Sequence, residues 1–331
     1  MKGTSLLHRG SRGHALAVAL AVIGLTGLLG WPARSAEPAQ GQRKARLRVL
    51  YSSTLFSSVN QNDALAALRI WIETIGRNRG FVLEAEADSF NCLEDADKRI
   101  QEDAVDLIVF NTVQYLRTTQ GEKLDTEFTA GGQYEPAGTP DDYILVARRD
   151  RNLSALGDLR NKSVKFYSIG ADWGHLWMDA TLDNQGLGSV SEFFGSNSDF
   201  NKPSSVILPV FFGKCDAGVV KRWALNTMAE LNPQLATQLQ ILASSPRLPE
   251  GVVCMPKNFK VFRDELVQGL ANLHTDPKGQ QLMLLFKIDK LERFKSEHLD
   301  AARALLARLA NARPSPAQAE VLAVTGGKPK S

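Results

Sequence analysis

The residue types that do chemistry are thinly spread along this chain. No G-x-S-x-G elbow, H-E-x-x-H pair or G-x-x-x-x-G-K-[ST] loop occurs. Past residue 35 the histidines are His175, His274 and His298, and none adjoins a nucleophile. Asp172, His175 and Asp179 have the i, i+3, i+7 spacing of one helix face. They fit an N-cap aspartate with a polar face better than a metal site. Asp141-Asp142 reads as a turn, since paired carboxylates need a pocket that adjacency in sequence does not create. Cys92, Cys215 and Cys254 form no C-x-x-C, which leaves zinc and dithiol chemistry without a motif. At most one disulfide fits three cysteines, and their pairing stays open. No catalytic residue, metal or cofactor is expected.

Hydroxyl, amide and glycine residues stand instead where strands end. LRVLYSS (47–53) reads as a strand, and Ser52, Ser53 and Thr54 end it. VDLIVF (105–110) is almost wholly apolar, which suits a parallel strand covered on both faces, and Asn111-Thr112 opens the next helix. SVKFYS (163–168) leads through Ser168, Gly170 and Ala171 to a helix over 173–185. Ligands of open α/β sheets sit beyond such carboxyl ends, where helix N-termini present unpaired N–H groups.

The positioning elements follow. Asn62-Asp63 caps a helix carrying Leu65, Leu68, Ile72 and Ile75 on one face. FVLEAEA (81–87) is a strand, and Leu93, Ala96 and Ile100 mark a helix. After YILVARR (143–149) the pattern restarts. SSVILPVFFGK (204–214) reads as a helix despite Pro209, and CDAGVV (215–220), LQILASS (239–245) and GVVCMP (251–256) as strands. Residues from Phe259 to about Ala312 read as helical, and the Pro/Gly-containing end as a weakly ordered tail.

Lys2, Arg9 and Arg12 precede an apolar run from Ala15 to Gly30, and Ala33-Arg34-Ser35 follows. That is the pattern of a cleavable secretory signal over 1–35. With no cysteine before Cys92, a lipoprotein anchor is not expected. The whole sequence carries 39 basic and 36 acidic side chains, a formal charge of +3. The segment 1–35 holds four basic residues (Lys2, Arg9, Arg12, Arg34) and no acidic one, so the remainder stands at 35 against 36, or −1. No nucleic-acid surface is indicated.

Four segments, taken in order, resemble the substrate-binding proteins of phosphate/phosphonate-type ABC transporters. NLSALGDLRNKSVKFYS (152–168) is similar to the family's "L.DLKGKRVAF", and LPVFFGKCDAGVV (208–220) to its helix, glycine turn and "DAG" strand. ASSPRLPEGVVCMP (243–256) is similar to its "ESPPIP" crossover and strand, and HTDPKGQQLMLLFKID (274–289) to its "DPEGQ" helix start. The resemblance implies an α/β type II periplasmic-binding-protein fold, two open lobes joined by two crossover strands. Lobe 1 would combine 44–146 with 253–312, lobe 2 would span 147–252, and 313–331 would be the tail. It implies a monomeric, periplasmic, non-enzymatic protein that takes a small ligand from the interlobe cleft to an ABC permease or, alternatively, reports it to a membrane sensor or histidine kinase. The implied ligand set is Ser52, Ser53, Thr54, Asn111, Thr112, Tyr143, Ser168, Gly170, Ala171, Asp172, Trp173 and Asp216. Here the loop SIGADWGHLW (168–177) departs from the family's Ser/Thr-rich one. Ala171 has no side-chain donor, Asp172 opposes an anion, and Trp173 and Trp177 add aromatic surface. A ligand with a cationic or amine part, or a larger planar group, fits those residues about as well as a phosphonate.

Overall fold

The computed structural model describes residues 43–56, 60–78, 81–130, 142–286, 288 and 290–311. The expected signal segment, the expected tail and Asp141 lie outside them. Apolar runs at strand spacing build two sheets. The first contains β1 (Arg43–Ser52), β2 (Phe81–Phe90), β3 (Leu107–Asn111) and β4 (Leu124–Ala130). The second contains β5 (Tyr143–Arg148), β6 (Ser163–Tyr167), β7 (Ser196–Phe200), β8 (Ala217–Lys221) and β9 (Leu239–Ser244). The chain then returns to the first sheet with β10 (Gly251–Pro256) and β11 (Leu291–Arg293). The strand orders are β11-β4-β10-β3-β1-β2 and β7-β6-β8-β5-β9. In each sheet the parallel pairs (β1 with β2 and β3; β6 with β7 and β8) adjoin an antiparallel strand, β10 beside β3 in the first sheet and β5 beside β8 in the second.

The chain therefore changes lobe twice, between β4 and β5 and between β9 and β10. Both boundaries differ from the expected ones. All of β5 pairs with β8 and β9, so Tyr143–Arg148 belongs to the second sheet, and all of β10 pairs with β3 and β4, so Gly251 and Val252 belong to the first. A crossover strand has the same apolar pattern on either side of the switch, and only pairing decides its sheet. The two passages touch, because Tyr143 N donates to Ser245 Oγ (2.9 Å) and Ser245 N to Tyr143 O (2.8 Å). The last helix, Asp300–Asn311, is expected with lobe 1, yet its Ala302 and Leu305 join the core of the second sheet beside Trp173 and Trp177.

Local corrections have simple causes. Asn60, not Asn62 or Asp63, caps the helix Gln61–Asn78, its Oδ1 accepting from Asn62 N at 2.9 Å and Asp63 N at 3.3 Å. The helix still buries Ala64, Leu68, Trp71 and Ile72 on one face. Pro209 lies inside the helix Ser204–Phe211. The stretch read as helical from Phe259 contains the edge strand β11, whose alternating charges mask it. The described cysteines are free thiols. Among the described residues no helix is long and apolar enough to cross a membrane.

Candidate functional site

The carboxyl ends of β1 and β3 form the first-lobe half of the candidate site. Ser52 is buried, and its Oγ lies 2.8 Å from Thr54 Oγ1, which accepts from Asn111 Nδ2 at 2.9 Å. Asn111 also caps the helix Thr112–Arg117, its Oδ1 accepting from Gln114 N at 2.8 Å while its own N–H donates to Gln114 Oε1 at 3.3 Å. Ser53 is half-buried beside them. Thr112 faces elsewhere. Its hydroxyl donates to Pro249 O at 2.6 Å and its N–H to Glu250 O at 3.1 Å, so both groups are committed to the second crossover.

The second-lobe half lies at the ends of β6 and β8 and the start of β5. Tyr143 and Lys221 are opposite one another on β5 and β8, and the Lys221 ammonium stands 4.4 Å from the centre of the Tyr143 ring. Both reach Glu250 Oε1, the phenol at 2.8 Å and the ammonium at 3.1 Å. Burial first, and the Glu250 carboxylate second, push the Tyr143 phenol well above its ordinary pKa, so it remains a donor. Ala171 N donates to Glu250 Oε2 at 3.5 Å. Gly170, at φ +62°, lets the loop approach: a Cβ there would lie 2.7 Å from Glu250 Oε2. Ser168 Oγ donates to Asp172 Oδ1 at 2.8 Å. Burial raises the Asp172 pKa against the lowering effects of His175 and that hydrogen bond.

Several expected roles change. Asp172 stands at the N-cap of the helix Trp173–Asn184 but in a left-handed conformation (φ 56°), with no side-chain cap bond. Trp173 is fully buried and donates its indole N–H to Pro249 O at 2.9 Å, and Trp177 is also core, so neither offers a stacking face to a ligand. Asp216 lies at the opposite end of the central strand, just before β8, where its Oδ2 accepts from Ser163 N (2.9 Å) and Ser163 Oγ (2.7 Å). It therefore lies away from the carboxyl ends where the other candidate residues gather. The motif resemblance marked its segment, but the strand direction puts it at the amino end. Asp142 is no turn carboxylate: it is buried and accepts two hydrogen bonds from Arg222, at 2.8 and 2.6 Å. Asp172, His175 and Asp179 do not converge on a metal. His175 Nε2 pairs with Asp199 and its ring stacks on Phe166, while Asp179 Oδ1 accepts from Val190 N.

Sequence reasoning missed Lys221 and Glu250. Lys221 ends an apolar strand on its carboxyl side, the same criterion that selected Ser52 and Asn111. Glu250, inside a Pro-Glu-Gly turn, looks like an ordinary solvated charge until the fold brings β8 beneath it.

Two α/β sheets joined by two adjacent passages, with polar side chains gathered at facing strand ends, define a two-lobed ligand-binding protein. Comparison narrows this class. The family profile described as "ABC transporter, phosphonate, periplasmic substrate-binding protein" matches residues 57–299, and the chain belongs to that family. Among solved structures, XAC2383 from Xanthomonas citri bound to ATP superposes with a TM-score of 0.55 at 15% identity, over 80% of this chain and 97% of that one. PhnD1 from Prochlorococcus marinus in complex with methylphosphonate gives 0.53 at 14%, over 81% and 99%. The binding-protein component of an ABC phosphonate transporter from Pseudomonas aeruginosa gives 0.53 at 13%, over 85% and 94%. These identities speak for the fold. No curated protein sequence matches the chain.

Proposed function

We propose that this protein captures a small oxyanion bearing an amino group between its lobes and delivers it to the permease of an ABC importer. It does so in the periplasm, after loss of 1–35, as a monomer whose lobes close on the ligand. The carrying observation is the charge at the second-lobe strand ends, where the Glu250 carboxylate pairs with the Lys221 ammonium and is near enough to Asp172 for its charge to help raise the Asp172 pKa. Lys221 is already paired with Glu250, so a doubly charged phosphonate would add charge without a new counter-ion. An ammonium group instead finds two acceptors. The oxyanion end fits the first lobe, where Ser52, Thr54 and Asn111 supply hydroxyl and amide donors in one hydrogen-bonded chain. Closing the lobes excludes water and strengthens each of these contacts.

Calorimetry with inorganic phosphate, methylphosphonate and 2-aminoethylphosphonate tests the reading. A hydrogen bond to a charged group is worth about 1.5–3 kcal/mol, so the amine-bearing compound should bind about ten- to a hundredfold more tightly than methylphosphonate. Asp172→Ser should erase part of that preference. Equal affinity for the two phosphonates would remove the amine from the account.

A further inference from the structure

Glu250 is held as a bound anion would be held. Its Oε1 accepts from the Tyr143 hydroxyl at 2.8 Å and pairs with Lys221 Nζ at 3.1 Å, and its Oε2 faces the Ala171 N–H at 3.5 Å. Tyr143 and Lys221 are buried, with relative exposures of 0% and 2%. A cation, a phenol and a backbone amide converging on one carboxylate make a pre-organised oxyanion seat. The glycine at 170 keeps the amide side open for close approach. A further hydroxyl is near. Tyr167 ends β6 with its OH buried and without a hydrogen-bond partner among the described residues, close enough for the Glu250 charge to add to burial in raising its pKa.

The occupant of the seat does not come from the second sheet. It is carried in by the passage between β9 and β10, whose main chain is fastened independently. Pro249 O accepts from Thr112 Oγ1 at 2.6 Å in one lobe and from Trp173 Nε1 at 2.9 Å in the other, and Glu250 O accepts from Thr112 N. Shortening the side chain of Glu250 therefore leaves its backbone in place and vacates the seat.

We propose that Tyr143, Lys221 and the Ala171 N–H form an oxyanion seat that Glu250 fills from within, and that Glu250 thereby sets the ligand class. It denies the seat to simple oxyanions and turns an acceptor toward an amine. This rests on the cleft being the ligand site. The seat itself takes carboxylates and small tetrahedral oxyanions once Glu250 is removed.

The test titrates acetate, which replaces the deleted carboxylate, and inorganic phosphate into wild type, Glu250→Ala, Glu250→Gln and the double variant Glu250→Ala/Lys221→Met. Glu250→Ala should gain at least about tenfold in affinity for acetate or phosphate over wild type, with a matching rise in its thermal midpoint. Glu250→Gln, whose amide still fills the seat, should gain less, and the double variant should lose the gain. If Glu250→Ala folds poorly, acetate should restore its cooperative unfolding, and failure to restore it overturns the proposal. A folded Glu250→Ala with no gain for either anion overturns it too. The amine reading is judged separately. If Glu250→Ala gains acetate while wild type ignores 2-aminoethylphosphonate, the seat stands and that reading falls. If wild type prefers 2-aminoethylphosphonate while Glu250→Ala gains nothing, the reading stands and the seat falls.

Discussion

Replacing Lys221 by Met removes the ammonium from a pair in which one member is 2% exposed and the other 20%. The methionine keeps most of the apolar stem, so packing changes little and the loss is mainly electrostatic. Breaking a buried pair by deleting one partner typically costs about 3–5 kcal/mol, because the other charge stays behind without its counter-ion. Here Glu250 retains the Tyr143 hydroxyl and some contact with water, which lowers the expected cost to about 2–4 kcal/mol. For a chain of this size that corresponds to a fall of about 3–7 °C in Tm. Urea unfolding of wild type, Lys221→Met, Glu250→Gln and the double variant measures it. Neutralising both members should cost less than the sum of the single losses, with a coupling of about 1.5 kcal/mol or more. A single loss under about 0.5 kcal/mol, or simple additivity, would refute the claim that the two charges depend on one another.

Two further outcomes follow from burial at the site and in the core. Asp172 has a folded-state pKa raised above 3.8, so the native protein holds that proton more tightly than the unfolded chain. Its contribution to stability is present below 3.8 and is lost as pH rises to the raised value. Asp172→Asn should remove that part of the pH dependence and stabilise the protein at neutral pH, as unfolding free energies measured across pH 3–7 would reveal. Among the thiols, Cys254 is fully buried and pushed up to about 12 by burial, Cys215 is buried, and Cys92 is partly exposed. A disulfide-exchange reagent at pH 8 should label Cys92 in the native protein and the other two only on unfolding; fast labelling of Cys254 would contradict the core packing around β10.

What could be read from the residues depended on how local the determining physics was. The apolar run around Leu107–Asn111 and the spacing of Leu68, Trp71 and Ile72 announce a doubly covered strand and a helix face, because burial alone writes both patterns. β7, with the sequence SNSDF, and β11 do not announce themselves, since edge strands with polar faces lack a burial signal. The rule that ligands sit beyond strand carboxyl ends singled out Ser52, Asn111, Ser168 and Gly170, and the fold puts all four at or just past such ends. It failed for Trp173, whose indole is spent on a carbonyl of the crossover, and for Thr112, spent on the same segment. Glu250 escaped because its role comes from a contact 107 residues away with Tyr143, which only the folded chain supplies.

The orientation of a bound ligand tests the account most directly. A crystal structure with 2-aminoethylphosphonate should place the amine nitrogen about 3 Å from a carboxylate oxygen of Glu250 or Asp172, and the phosphonate oxygens against Thr54 and Asn111. Glu250 should still be seated on Tyr143 and Lys221. A ligand turned end for end, with its phosphonate on Lys221 and Glu250 displaced, would contradict the assignment of the two halves of the cleft.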